Sequence, residues 1–93
     1  MRLHDRPHFV YWHLDADGNC LYVGVSWNVK LRNINHRTSS SWWPLVDYTL
    51  SSVSMTREDA MLFEIEEIER LTPPHNVLYK RSSVTRKPAE KVA

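Results

Sequence analysis

Two short runs, Phe9-Val10-Tyr11-Trp12-His13-Leu14 and Cys20-Leu21-Tyr22-Val23-Gly24-Val25, flank the segment Ala16-Asp17-Gly18-Asn19. Both runs are rich in β-branched and aromatic residues. Asp-Gly between two such runs is a strong hairpin signal, because glycine accepts the positive φ that a tight turn needs. The feature predicts an antiparallel strand pair that brings Tyr11 and Tyr22 near each other. It also obliges the rest of a 93-residue chain to cover that pair. An apolar fraction of 42% is enough for one modest core and one domain. Four Trp and four Tyr mean that aromatic area supplies much of that core.

The turn is acidic, and Asp15-Ala16-Asp17-Gly18-Asn19 has the look of a calcium loop. Its glycine falls at the fourth loop position rather than the sixth, and Ser26 stands where the loop would need its closing Glu. The acids therefore serve the turn. Ser26 or Asn28 can cap a short helix that runs to about Arg37, with Leu31 and Ile34 facing inward. A Ser/Thr-rich loop at Thr38–Ser41 follows, and Val46–Ser54 alternates as a third strand would. Thr56, with Asp59 three residues on, opens a second helix that reaches Leu71, where Pro73-Pro74 stops it. On that helix Met61, Ile65, Ile68 and Leu71 share one arc.

Charge is divided unevenly. Residues 80–93 carry five basic side chains and one acidic, a net of +4, and the remaining body carries seven basic and ten acidic, a net of −3. The tail reads as disordered, either a solvated terminus or a strand that tracks a phosphate backbone. The domain is expected to be residues 1–79. One cysteine, Cys20, excludes an intramolecular disulfide and a multi-cysteine zinc site, so a reducing cytoplasm is the expected location. No apolar stretch has the length of a signal peptide or a membrane span, so no membrane partner is expected.

Several side chains could do chemistry. Glu64 falls inside the apolar arc of the second helix, where a carboxylate must be paired, protonated or bound to a cation. Taken alone it is either an edge-of-core acid bonded to an Arg or a functional ligand. Arg32 and His36 are four residues apart and share a side of the first helix. Taken alone they are either a solvated helix Arg and a His that stabilises the helix C-terminus, or a pair with a joint task. Tyr11 and Tyr22 are, by period alone, strand aromatics filling a core face. Gly24 permits a close backbone approach beside them. Trp42-Trp43-Pro44 reads as a core or loop anchor ahead of a base-stacking surface.

Read jointly, Tyr11, Tyr22, Arg32, His36, Glu64 and Asn76 resemble the pattern of the GIY-YIG nuclease domain over about residues 8–77. Arg32 and His36 follow Tyr22 by ten and fourteen residues, and Ile68, Pro73 and Asn76 follow Glu64 by four, nine and twelve. The resemblance implies an α/β fold, a small three-stranded antiparallel sheet flanked by helices in the order strand, strand, helix, strand, helix. It implies a metal-dependent endonuclease that hydrolyses DNA phosphodiester bonds, with DNA, branched or damaged forms included, as partner. Glu64 would hold a single Mg²⁺ or Mn²⁺ ion, its shell completed by substrate phosphate and water, as is usual for magnesium. Arg32 would fork onto the scissile phosphate. Tyr22 would be the general base, Tyr11 its hydrogen-bonding companion near the attacking solvent, and His36 a group that binds or activates nearby. Gly24 and Asn76 would support the site. A phenol is a weak base until neighbouring cations favour its ionised form, and Arg32 with a divalent ion would supply that field.

The chain also departs from the pattern. Phe9-Val10-Tyr11 has no glycine at its head, Tyr22-Val23-Gly24 is a variant of the second triplet, and Val25 stands where many relatives carry Lys or a small polar residue. These departures keep a rival open: a catalytically inactive or partner-dependent nucleic-acid-binding module on the same scaffold. One site of this kind cuts one strand, so a double-strand break would need a dimer, a partner subunit or sequential nicking.

Overall fold

The computed structural model describes residues 6–76, and the basic segment at 80–93 lies outside the described residues. The hairpin forms strands β1 (Phe9–Leu14) and β2 (Cys20–Ser26), followed by helix α1 (Val29–Ser39), strand β3 (Tyr48–Ser51) and helix α2 (Arg57–Leu71). The sheet is antiparallel in the order β2-β1-β3. The fold is thus the α/β arrangement expected, with β1 at the centre and two helices covering the sheet.

The hairpin turn closes as its residues require. Gly18 takes φ +85, and Asp15 Oδ1 accepts from the backbone N–H groups of Asp17 and Asn19, both at 2.9 Å. Those bonds hold the Asp15 carboxyl below the usual carboxylate range, as the backbone N–H of Asn19 favours its charged form. Register shifts between His13 and Leu14: His13 faces Tyr22 while Leu14 faces Cys20, which leaves Leu21 as the extra residue of a bulge.

Strand alternation gives β1 two unlike faces. Val10 and Trp12 lie opposite Val25 and Val23 and pack on α2, where Val10, Val23, Ala60 and Ile68 form the core with Phe63 and Leu71 against it. Full burial of a valine such as Val10 or Val23 contributes about 1.5–3 kcal/mol. Tyr11 and His13 point to the other face, opposite Gly24 and Tyr22, and both are fully buried.

Helix α2 begins where the sequence places it, with Thr56 Oγ1 accepting from Asp59 N at 3.1 Å. Its C-cap, Thr72, takes the left-handed conformation at φ 43 ahead of Pro73-Pro74. Helix α1 is capped by Asn28, whose Oδ1 accepts from Leu31 N at 3.0 Å.

Three expectations are corrected. Leu31 and Ile34 do not face inward: each is 45% exposed, and His36 is the residue that α1 buries. The reason is that α1 covers the Tyr11–His13 face, which offers hydrogen-bonding rings, so the helix presents Asn33 and His36 to it. The helix also runs through Thr38 and Ser39, expected in a loop, because both hydroxyls donate back to Asn35 O and Ser40 N donates to His36 O. The third strand is shorter than Val46–Ser54: Trp43–Leu45 form a 3₁₀ turn, and after Ser51 only Ser52 N, which donates to Val10 O at 2.8 Å, continues the pairing before Met55 bridges His8.

Candidate active site

Four elements, distant in sequence, converge on one open cleft of about 470 Å³. Tyr11 comes from β1, Tyr22 and Val25 from β2, Arg32 from α1, and Arg57, Met61 and Glu64 from α2, while His8, Ser26 and Trp27 complete the wall. Of the residues singled out from sequence, Tyr11, Tyr22, Arg32 and Glu64 therefore share this cleft. His36, Gly24 and Asn76 stand behind it.

Tyr11 fits because residue 24 is glycine. A Cβ built at Gly24 would lie 2.5 Å from both the Cζ and the hydroxyl oxygen of Tyr11. The phenol thus lies directly over the backbone of β2. Burial raises the Tyr11 pKa well above its ordinary value, with Tyr22 adding to the effect and the Arg32 guanidinium opposing it. Tyr11 is accordingly a protonated phenol. Its hydroxyl is 2.8 Å from His36 Nε2.

His36 is 3% exposed, with Nδ1 2.5 Å from Ser40 Oγ. Burial, aided by His13 and Arg32, lowers its pKa to about 4. The ring is neutral near pH 7, so the reading of His36 as a charged stabiliser of the helix C-terminus is overturned. It touches Tyr11 and not the cleft itself.

Tyr22 is half-buried. Its ring is 6.1 Å from that of Tyr11 and 5.1 Å from that of His36, and it stacks on Trp42 at 4.7 Å and 24°. Trp42 stacks in turn on His75 at 5.0 Å and 18°. The Trp42 indole N–H donates to His13 Nδ1 at 3.1 Å. An indole can only donate, so Nε2 of His13 carries the proton and donates to Asn33 Oδ1 at 2.8 Å. Asn33 Nδ2 then donates to Thr49 Oγ1 at 3.1 Å, which ties α1 to β3. Desolvation holds the His13 pKa below its ordinary value. Trp42 and Trp43 are thus loop anchors, packed on Tyr22 and His13.

Two acids on α2 have opposite surroundings. Glu67 is buried, accepts from Trp12 Nε1 at 3.0 Å and takes two bonds from Arg70 at 2.6 and 2.9 Å. The Arg70 bonds hold its pKa below the ordinary value. Glu64, one turn earlier, lines the cleft, and burial alone raises its pKa. Among the described residues the Arg-bonded acid on this helix is therefore Glu67 and not Glu64.

A divalent cation fits Glu64. A desolvated carboxylate on a cleft wall, with no cation among the described residues offsetting its burial, gains most from a positive ligand. No group of three or more His, Cys, Asp or Glu is close enough to hold a metal among the described residues. An ion at Glu64 would draw its remaining ligands from water and substrate oxygens, which suits magnesium.

Asn76 secures the free edge of β2. Its Oδ1 accepts from Val23 N at 3.1 Å and its Nδ2 donates to Val23 O at 2.9 Å, while His75 N donates to Leu21 O at 3.2 Å. The side chain completes the ladder between Tyr22 and Gly24, as a neighbouring strand would.

Four residues near the site were not singled out from sequence: His8, His13, Trp27 and Arg57. His13 carried a signal, since a His between Trp12 and Leu14 in a buried run needs partners on its own face. Arg57, by contrast, is one of many surface-type charges, and nothing in its spacing marks it.

No protein-family model matches the chain. Among curated proteins, the chain is 31% identical over 78 residues to the UvrABC system protein C of Dechloromonas aromatica (strain RCB). The match takes in 76% of this chain and 13% of that protein, so the chain spans a small part of its relative. No helix among the described residues is long and apolar enough to cross a membrane. The similarity to UvrABC system protein C is consistent with a GIY-YIG domain.

Proposed function

We propose that this domain is a metal-dependent endonuclease of the GIY-YIG type that hydrolyses DNA phosphodiester bonds. The observation that carries the reading is the meeting of Arg32, Tyr11, Tyr22 and Glu64 in one cleft from four separate elements. In this reading Arg32 forks onto two oxygens of the scissile phosphate and steadies the charge that grows there during in-line displacement. The Tyr22 oxygen takes a proton from the attacking water. Tyr11, kept protonated by burial and fixed by His36, orients that water. A new O–P bond forms as the P–O3′ bond breaks, and the 3′ oxygen takes a proton from solvent, leaving 5′-phosphate and 3′-hydroxyl ends. Glu64 holds the divalent ion, which when bound supplies Lewis-acid stabilisation of phosphoryl charge. His13, Trp42 and Asn33 touch no substrate in this scheme and hold Tyr22 and His36 in place.

A plasmid-nicking assay with Mg²⁺, with Mn²⁺ and with EDTA tests the proposal. Nicking that requires the divalent ion is the expected outcome. DNA binding without cleavage under all three conditions would replace the proposal with an inactive binding module, for which Val25 in the cleft wall, in place of a polar phosphate contact, is the specific precedent.

A further inference from the structure

Trp27 stands out among the cleft residues because neither the core nor the proposed reaction uses it. It lies at the turn between β2 and α1, 39% exposed, in the wall that also holds Arg32 and Arg57. The turn is fixed on both sides of the ring. Ser26 Oγ accepts from Asn28 N at 2.9 Å, and Asn28 caps α1. The Arg6 guanidinium carbon lies 4.2 Å from the indole centroid, a cation–π contact that holds the ring from one face. An indole so placed is pre-oriented, and it lines the cleft while 39% exposed.

Charge around it is also selective. Outside the terminal segment 80–93 the chain is net negative, yet among the described residues the cleft wall carries Arg32 and Arg57 against the single carboxylate Glu64. Guanidinium groups beside a part-exposed aromatic ring are the combination that holds a single nucleic-acid strand: cations track the phosphates and the ring takes a base. A base in an intact duplex is stacked on its neighbours and does not offer its face.

We propose that Trp27 is a stacking platform for an unpaired nucleobase beside the phosphate held by Arg32, with Arg57 on a neighbouring phosphate, so that the cleft takes single-stranded or locally unpaired DNA in preference to a perfect duplex. This rests on the reading of the cleft as a site for DNA phosphodiesters. It adds to that reading the structural class of the substrate.

The test is a fluorescence-anisotropy titration of the full chain carrying Glu64→Gln, which silences cleavage, against a labelled single strand and a blunt duplex of the same sequence. Adding Trp27→Ala should weaken single-strand binding by roughly 5- to 150-fold, the range for losing one base–aromatic stack. It should leave duplex binding and the salt dependence unchanged, and Trp27→Phe should retain most of the single-strand affinity. Arg57→Ala should instead weaken both DNAs and make the slope of log affinity against log salt shallower by about 0.7 on the single strand. Equal single-strand affinity with and without Trp27, equal losses on both DNAs, or no binding of either DNA by the parent overturns the inference. The two readings fail separately. Trp27-dependent strand binding by a protein that never nicks plasmid leaves the platform standing and removes the nuclease. Metal-dependent nicking, with Trp27→Ala binding like its parent, does the reverse.

Discussion

The two faces of β1 are built from alternate residues of one six-residue strand, yet they follow different rules. The face toward α2 is filled by Val10, Trp12, Val23, Ala60 and Ile68, and its stability comes from area removed from water. The face toward α1 is filled by Tyr11, His13, Tyr22 and His36, and nearly every polar atom there has a defined partner. A buried polar group left without its hydrogen bond costs about 1–3 kcal/mol, so this second face tolerates few rearrangements. The apolar face can absorb a change of shape at the cost of packing. The polar face fixes geometry, which is what a reacting site needs. Helix α2 serves both: Glu67 closes the Trp12 side with Arg70, and Glu64 opens on the cleft.

Exchanging the two acids would break this comparison most sharply. Glu64→Gln should abolish divalent-dependent nicking and leave the melting temperature equal or slightly raised, since a neutral amide removes a desolvated charge. Glu67→Gln should keep activity and lower stability by about 0.2–1 kcal/mol, the range for a pair whose Arg is mostly exposed. Nicking assays and thermal melts on both variants check the pattern, and full activity in Glu64→Gln would remove that residue from the mechanism.

Arg32→Lys comes next in size. An ammonium cannot reproduce the guanidinium fork, so cleavage should drop by about 10²–10³ in rate with no change in melting temperature. A Lys variant with most of the activity would reduce Arg32 to part of a diffuse positive field.

A core truncation should do the opposite on the other face. Ile68→Ala should cost about 2–5 kcal/mol of stability by the transfer and cavity terms together. Assayed well below its melting temperature, it should retain the parental nicking rate. A selective loss of rate in a folded Ile68→Ala protein would show that the two faces are coupled.

Gly24→Ala probes the contact between β2 and Tyr11. Overpacking of this kind costs about 1–3 kcal/mol. Truncating the ring in Tyr11→Ala should relieve the clash, so denaturant unfolding of the double variant should show Gly24→Ala costing less there than in the wild-type background. Tyr11→Phe leaves the Cζ contact in place and should not relieve it. Its cleavage rate should fall by less than that of Tyr22→Phe, which should lose nearly all activity.

A further probe of the polar face is a pH dependence. His36 is depressed to about 4 in the folded protein against an ordinary value near 6.5. Between those values the unfolded chain binds the proton and the folded one does not, so stability is full above about pH 6.5 and falls as pH drops toward 4. His36→Gln removes that titration and should flatten the melting-temperature profile across this window. His13, lowered in the same direction by burial, leaves a residual slope.

Much of this arrangement is written locally. The Asp17-Gly18 turn, the Thr56 cap and the Pro73-Pro74 stop are signals spanning a few residues, and the structure realises each of them where the sequence places it, while of the two caps open for α1, Ser26 and Asn28, it takes Asn28. The candidate site was legible as a set of spacings: Tyr22, Arg32 and Glu64 stand at separations that a resemblance could identify. What those spacings did not convey was the company each residue keeps. Leu31 and Ile34 are apolar, yet they face solvent because α1 must offer hydrogen bonds to Tyr11 and His13. Glu64 and Glu67 are the same residue type one turn apart, and only the arrival of Trp12 and Arg70 at one of them distinguishes an Arg-bonded acid from one that lines the cleft.

The sequence by itself determined the element order, because strand alternation, caps and turns act over spans shorter than one element. It also determined which basic, acidic and aromatic residue types were available to the candidate site. The tertiary structure alone decided that His36 is buried and neutral, that Asn76 completes the edge of β2, and that Trp27 and Arg57 meet Arg32 around one cleft. Burial, pKa and cleft membership depend on neighbours that lie 25 to 55 residues away along the chain, as in the bonds joining Tyr11 to His36, Val23 to Asn76 and Trp12 to Glu67. Those neighbours are set by how the helices pack on the two faces of β1, and no local spacing encodes that.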